Sequence, residues 1–227
     1  MKTVFTNTLK LVVVASALCA SGSAAAQAAG TWTAIVGLNK VTPKVSSGDL
    51  TAPSIPGVKI DVAADTQPLV TINYAITDNI AASTFIGTAY KHEQFGDGTI
   101  AGAGKLGVVD VLPVTLLAQY HFFDAKAKFR PFVGAGLTYA YFRNEVGSGA
   151  LTALTNTGNA TPTTYKVDSK WGTTFKLGAS YAFNDRWFAA AAISKTFVKT
   201  TSRLSTGQTI DLTLDPIAVM LGIGYHF

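Results

Sequence analysis

Residues 171–183 read Trp171-Gly172-Thr173-Thr174-Phe175-Lys176-Leu177-Gly178-Ala179-Ser180-Tyr181-Ala182-Phe183. The odd positions hold Trp171, Thr173, Phe175, Leu177, Ala179, Tyr181 and Phe183, while Gly172, Thr174, Lys176, Gly178 and Ser180 oppose them. A period of two puts successive side chains on opposite faces of an extended chain, so this is a strand with one apolar face. The pattern recurs. Val70, Ile72, Tyr74 and Ile76 alternate with Thr71, Asn73 and Ala75, and Val114, Leu116, Ala118, Tyr120 and Phe122 alternate with Thr115, Leu117, Gln119 and His121. The less apolar face carries mainly Gly, Ala, Ser and Thr rather than Lys and Glu. A soluble sandwich or lipocalin keeps its apolar face inward and shows charge to water, which disfavours both.

Working outward from these strands, turn signals at Thr77-Asp78-Asn79, Phe123-Asp124-Ala125-Lys126 and Asn184-Asp185 alternate with long stretches. The long stretches are Thr42 to Gln67, Lys91 to Val111, Arg143 to Ser169 and Lys199 to Gln208. The predicted strands are Trp32 to Val41, Leu69 to Ile76, Ile80 to Tyr90, Pro113 to Phe122, Phe129 to Phe142, Lys170 to Phe183, Trp187 to Val198 and Thr209 to Phe227. Eight strands with alternating short and long connections imply an all-β fold, an eight-stranded antiparallel transmembrane β-barrel with short periplasmic turns and long extracellular loops. Tyr181, Phe183 and Trp187, then Phe122, Phe123 and Phe129, then Tyr225 and Phe227 fall at one set of strand ends, where an aromatic girdle belongs. At Asp215-Pro216 the apolar parity shifts from Ile210, Leu212 and Leu214 to Ile217, Val219 and Leu221, which predicts a bulge.

Composition agrees. The 227 residues are 48% hydrophobic and 14% charged, against about 25% charged in an ordinary soluble domain. Lys2 and Lys10 flank an apolar core from Leu11 to Ala20, and Ala26-Gln27-Ala28 supplies small residues for a peptidase. Residues 1–28 are therefore expected to be a cleaved signal peptide, and 29–227 a single barrel domain. Without Lys2 and Lys10, sixteen of the eighteen Lys and Arg stand against thirteen Asp and Glu, a net +3 with no basic run, so nucleic acid is not an expected partner. No apolar stretch of 18 or more residues follows Ala28. Cys19, the one cysteine, lies in the expected signal, leaving no thiol for a metal or a nucleophile. His92, His121 and His226 lack metal-ligand spacing and no Gly-x-Ser-x-Gly element is present, so neither a metal, a cofactor nor enzymatic activity is expected.

The block Leu112-Pro113-Val114-Thr115-Leu116-Leu117-Ala118-Gln119-Tyr120-His121-Phe122, followed by Lys128-Phe129-Arg130-Pro131-Phe132-Val133-Gly134-Ala135-Gly136-Leu137, resembles the central signature of the OmpW family of outer-membrane proteins. The tail from Leu214 to Phe227 is similar to that family's C-terminus, and Thr77-Asp78-Asn79-Ile80 to its first turn. Val114 stands where the family usually has a second proline, and Ser83 where it has an acidic residue. The resemblance implies an eight-stranded barrel of the bacterial outer membrane that helps small hydrophobic molecules to cross, alkanes included in the AlkL branch.

A barrel of eight strands has a bore that side chains nearly fill, so it cannot be an open aqueous pore. Parity places Phe85, Leu117, Phe132, Ser194 and Met220 inward, and these are the candidate lining of a solute passage. Gly134, Gly136, Gly172 and Gly178 either leave volume beside it or merely relieve crowding. Pro113 has no N–H to pair, so it either starts its strand or marks a lateral opening toward the bilayer. Tyr225 and Phe227 end an alternating row that resembles the signal read by the barrel-assembly machinery. Expected partners are that machinery, outer-membrane lipid and lipopolysaccharide, and small hydrophobic solutes. The competing function is a surface-interaction barrel whose loops meet host factors, antibodies or phage. Leu50, Pro53, Ile55, Pro56 and Leu151 to Leu154 put apolar groups into the long segments, which favours passage.

Overall fold

The computed structural model describes residues 28–227 except 157, 159 and 160; nearly all of the expected signal peptide lies outside the described residues. Among those residues eight antiparallel strands close on themselves, as the period-two pattern predicts. The wall runs β1 (Trp32–Thr42), β4 (Asp65–Ala75), β5 (Ile80–Gly87) continued by β6 (Tyr90–Gly98), β7 (Lys105–His121), β8 (Phe129–Gly147), β10 (Lys170–Ala182), β11 (Trp187–Phe197) and β14 (Ile217–His226). Pairing of β14 with β1, from Thr33↔His226 to Thr42↔Ile217, completes the circle. Closure leaves no unpaired edge, the condition for crossing hydrocarbon with strands.

The residues predicted to face lipid do face outward: Leu116 is 65% exposed and its neighbour Leu117 only 4%. Aromatic pairs ring the end that carries the short turns, with Trp187–Tyr225 centroids 5.0 Å apart, Tyr225–Phe227 5.1 Å and Tyr120–Phe122 5.1 Å. At the opposite edge of the apolar band Tyr139 and Trp171 lie 5.0 Å apart. These two belts mark the membrane boundaries.

Beyond the outer belt the structure corrects the loop assignment. Lys91 to Val111 is mostly a hairpin of β6 and β7, and β8 runs on to Gly147. A second sheet of β2 (Ser46–Ser47), β13 (Thr209–Thr213), β12 (Lys199–Leu204) and β9 (Tyr165–Val167) forms there, with β3 (Val58–Val62) paired to β6 and a short helix α1 (Gly149–Thr155) capped by Ser148. This extension has its own core, including Leu50, Ile60, Leu106, Phe142, Tyr165 and Ile210. At Asp215-Pro216 the expected bulge is a complete change of sheet, from β13 to β14. Asp215 takes φ 34°, and its carboxylate accepts the Val198 N–H at 3.1 Å, replacing a ladder bond.

Candidate functional site

The lumen is layered. At the turn end the Arg130 guanidinium donates to the backbone carbonyls of Phe122, Asp78 and Phe123, tying together two turns. Next comes a plug of Ile35, Phe132, Phe188 and Ala190, each no more than 5% exposed. The inward glycines make room for it: a Cβ on Gly178 would lie 2.4 Å from the Phe132 ring, and one on Gly224 2.1 Å from that of Phe188. At Gly136 and Gly172 a Cβ would meet the carbonyls of Leu116 and Phe197. The glycine space is thus filled by rings and neighbouring strands rather than left free, which decides for relief of crowding at these positions.

Farther from the turns lies a mostly apolar cavity of about 120 Å³, whose inner end is walled by Leu69, Phe85, Leu117, Ala192, Met220 and Lys176. Threonines cross its wall. The Oγ1 atoms of Thr115 and Thr138 are 2.7 Å apart, those of Thr138 and Thr174 2.6 Å, and those of Thr174 and Thr196 2.8 Å, linking β7, β8, β10 and β11. The hydroxyls satisfy one another, so burying them costs little.

The wall is incomplete beside this cavity. β5 pairs with β7 only as far as Thr84↔Leu116, and pairing resumes at Tyr90↔Val111 on β6. The cause is readable from the hydrogen bonds. His121 N–H donates to Asn79 on the β5 side, whereas Phe122 N–H donates to Pro131 on the β8 side. Odd-numbered residues of this stretch therefore turn their backbone groups toward the third strand, and at 113 the residue is proline, with no N–H to give. The Thr115 carbonyl, which faces the same break, is satisfied by the Thr84 hydroxyl at 2.8 Å instead of a backbone donor. Pro113 pairs with Ala140 on its other side, between Tyr139 and Tyr141, which places the interruption at the outer edge of the apolar band. Pro113 lies within β7 and does not start it.

A second cavity of about 200 Å³ lies in the extension, lined by Leu50, Pro53, Ile55, Leu151 and Leu154 among others. Gln94 borders both cavities. His92, read as a loop residue, is buried on β6 with Nδ1 2.7 Å from the Ala63 carbonyl. Burial pulls its imidazole below the usual range, against that hydrogen bond and the charge of Asp65, so it is neutral near pH 7.

Of the residues singled out from sequence, Phe85, Leu117, Ser194, Met220 and Pro113 border the inner cavity. Phe132 does not: it lies in the plug, its ring 5.1 Å from that of His121. Tyr225 and Phe227 sit in the turn-end girdle, where Phe227 N–H donates to the Trp32 carbonyl at 2.9 Å. The threonine chain and the inward row Tyr90, His92 and Gln94 were missed, although both continue the period of two.

A family model described as OmpW family matches residues 28–227. Outer membrane protein W of Escherichia coli (strain K12) is 33% identical over 225 residues, covering 96% of this chain and 99% of that protein. Outer membrane protein AlkL of Ectopseudomonas oleovorans is 26% identical over 203 residues, 87% of this chain and 83% of that protein. The crystal structure of OprG from Pseudomonas aeruginosa superimposes with a TM-score of 0.79 at 27% identity, covering 88% of this chain and 97% of that one. With a closed barrel, two aromatic belts and a match across essentially all described residues, the chain belongs to the OmpW family of bacterial outer-membrane β-barrel proteins.

Proposed function

We propose that the barrel is a narrow channel for passive uptake of small hydrophobic molecules, which it releases sideways into the bilayer. The observation that carries this reading is the interrupted β5–β7 ladder at Pro113 with an apolar cavity directly behind it. A solute enters between Leu50, Ile55, Leu151 and Leu154, passes Gln94 and reaches the wall at Phe85 and Leu117. The plug of Ile35, Phe132 and Phe188 closes the way to the periplasm, so the lateral break is the exit that avoids water. The inner cavity is of the order of the roughly 150 Å³ apolar space that holds a benzene ring. Each contact is worth roughly 25 cal/mol per Å² of apolar surface taken from water. The test is uptake of dodecane by cells lacking the gene, with and without the gene restored. Restoration is expected to raise the initial rate, and equal rates would favour the surface-interaction reading.

We also propose that Phe227, the last of the outward row Ile223, Tyr225 and Phe227, is read by the barrel-assembly machinery. Deleting Phe227 is expected to lower the amount of folded, heat-modifiable protein in outer membranes. Unchanged amounts on a gel run with unheated samples would exclude that role.

A further inference from the structure

Lys176 is a cation without an anion. It stands on the inward face of β10, inside the apolar band, and borders the inner cavity. Among the described residues it takes part in no ion pair and no side-chain hydrogen bond; its ammonium lies 5.6 Å from the centroid of the Phe132 ring. Of the thirteen carboxylates in the chain, Asp78, Asp124 and Asp185 lie in the short turns, and the rest lie in or next to the extension beyond the outer belt. None reaches the lumen at this level. An ammonium in an apolar enclosure is costly unless paired, and one aromatic face offsets only part of that cost.

Donors gather beside it. Ser194 is its direct cross-strand partner on β11, which sets the two side chains about 5 Å apart at their bases. The Ser194 hydroxyl has no hydrogen-bond partner among the described residues and faces the same cavity. Two residues along β11, Thr196 ends the threonine chain. Its three bonds use three of the four hydroxyl hydrogens, leaving one hydroxyl of the chain free to donate to a ligand. Across the cavity stand Leu69 and Phe85, with Leu117 beside them, and Met220 on β14 extends the apolar lining next to β11. A cation with a free hydroxyl on one wall and hydrocarbon on the other matches a molecule with an anionic head and an aliphatic tail.

We propose that Lys176 and Ser194 form a head-group site for aliphatic carboxylates, so that the solutes carried include medium- and long-chain carboxylates as well as neutral hydrocarbons. The inference rests on the passage reading above and names its substrate class. The Lys176 ammonium and the Ser194 hydroxyl donate to the carboxylate oxygens, while the tail lies along Phe85 and Leu117 toward the break at Pro113. Neutral solutes use the same wall without the head-group contacts.

The test compares dodecanoate with dodecane in cells lacking the gene and carrying wild type, Lys176→Met or Lys176→Arg, each rate taken above that of cells without the chain. Lys176→Met is expected to slow dodecanoate uptake by about tenfold or more, the factor matching the loss of one charge-assisted contact. Dodecane uptake does not fall with it, because a neutral solute loses no head-group contact and meets a more apolar wall, and Lys176→Arg restores most of the dodecanoate rate. Binding supplies a second readout: the carboxyl carbon of ¹³C-labelled dodecanoate shifts in the presence of refolded wild type in lipid nanodiscs, and not with Lys176→Met. Unchanged dodecanoate uptake and binding in Lys176→Met, or an equal fall for both probes, overturns the head-group site while leaving the passage standing. A wild-type chain that speeds neither probe overturns both.

Discussion

Cells carrying Phe85→Asp are expected to take up dodecane at least about tenfold more slowly than cells carrying the wild-type chain, with the barrel folded and inserted as before. Phe85 follows the last β5 residue that pairs with β7, so its ring stands where the cavity meets the interrupted ladder. Replacing it removes apolar contact of roughly 60 Å², about 1.5 kcal/mol at 25 cal/mol per Å², which alone approaches a factor of ten. A carboxylate there also holds water that a hydrocarbon must displace. Folding survives because Phe85 borders a cavity and is only partly enclosed, unlike the plug residues Phe132 and Phe188. Phe85→Leu keeps an apolar surface and is expected to retain most of the rate. Heat-modifiable mobility establishes folding in each case. If Phe85→Asp folds and transports at the wild-type rate, the passage reading loses its principal residue and the surface-interaction reading takes its place.

How much of this was legible in the sequence depends on which face of a strand carried the signal. Leu177, Tyr181 and their outward neighbours alternate with small residues, so strand number, parity and girdle followed from period two. Where the inward residues are polar the signal vanished. Tyr90, His92 and Gln94 face the lumen at every second position, yet with Lys91 and Glu93 between them the segment reads as a polar loop. Thr200 and Ser202 of β12 are buried for the same reason without showing an apolar pattern. The glycines were ambiguous because a missing Cβ leaves room without saying what fills it; at Gly178 and Gly224 the occupants, Phe132 and Phe188, come from other strands. Proline at 113 announced a lost N–H. Which neighbour it deprives depends on register, and only the opposite directions of the His121 and Phe122 hydrogen bonds identify the third strand. The isolation of Lys176 is likewise a property of where thirteen carboxylates end up in space, not of spacing along the chain.

The assignment of faces makes its own demand on stability. Leu116 pairs with Thr84 on one side and Leu137 on the other, near the middle of the band bounded by Phe129 and Tyr141 on β8. At 65% exposure its side chain is turned outward, toward the acyl chains. Leu116→Arg is therefore expected to destabilise the barrel by about 2–4 kcal/mol, the cost of a guanidinium at the depth of the bilayer midplane. The measurement is reversible refolding into lipid vesicles, followed by denaturant titration. Phe85→Asp is the internal comparison, because position 85 lies on the adjacent strand one residue beyond Thr84. Its new charge enters the lumen, where Lys176 borders the same cavity from the far wall, rather than hydrocarbon. Its penalty should be clearly the smaller of the two. The reverse order, with Phe85→Asp the costlier, would mean that inside and outside have been interchanged on the third and fourth strands. With that parity lost, Leu117 would no longer line the cavity, and the apolar wall beside Pro113 would face lipid instead of a solute.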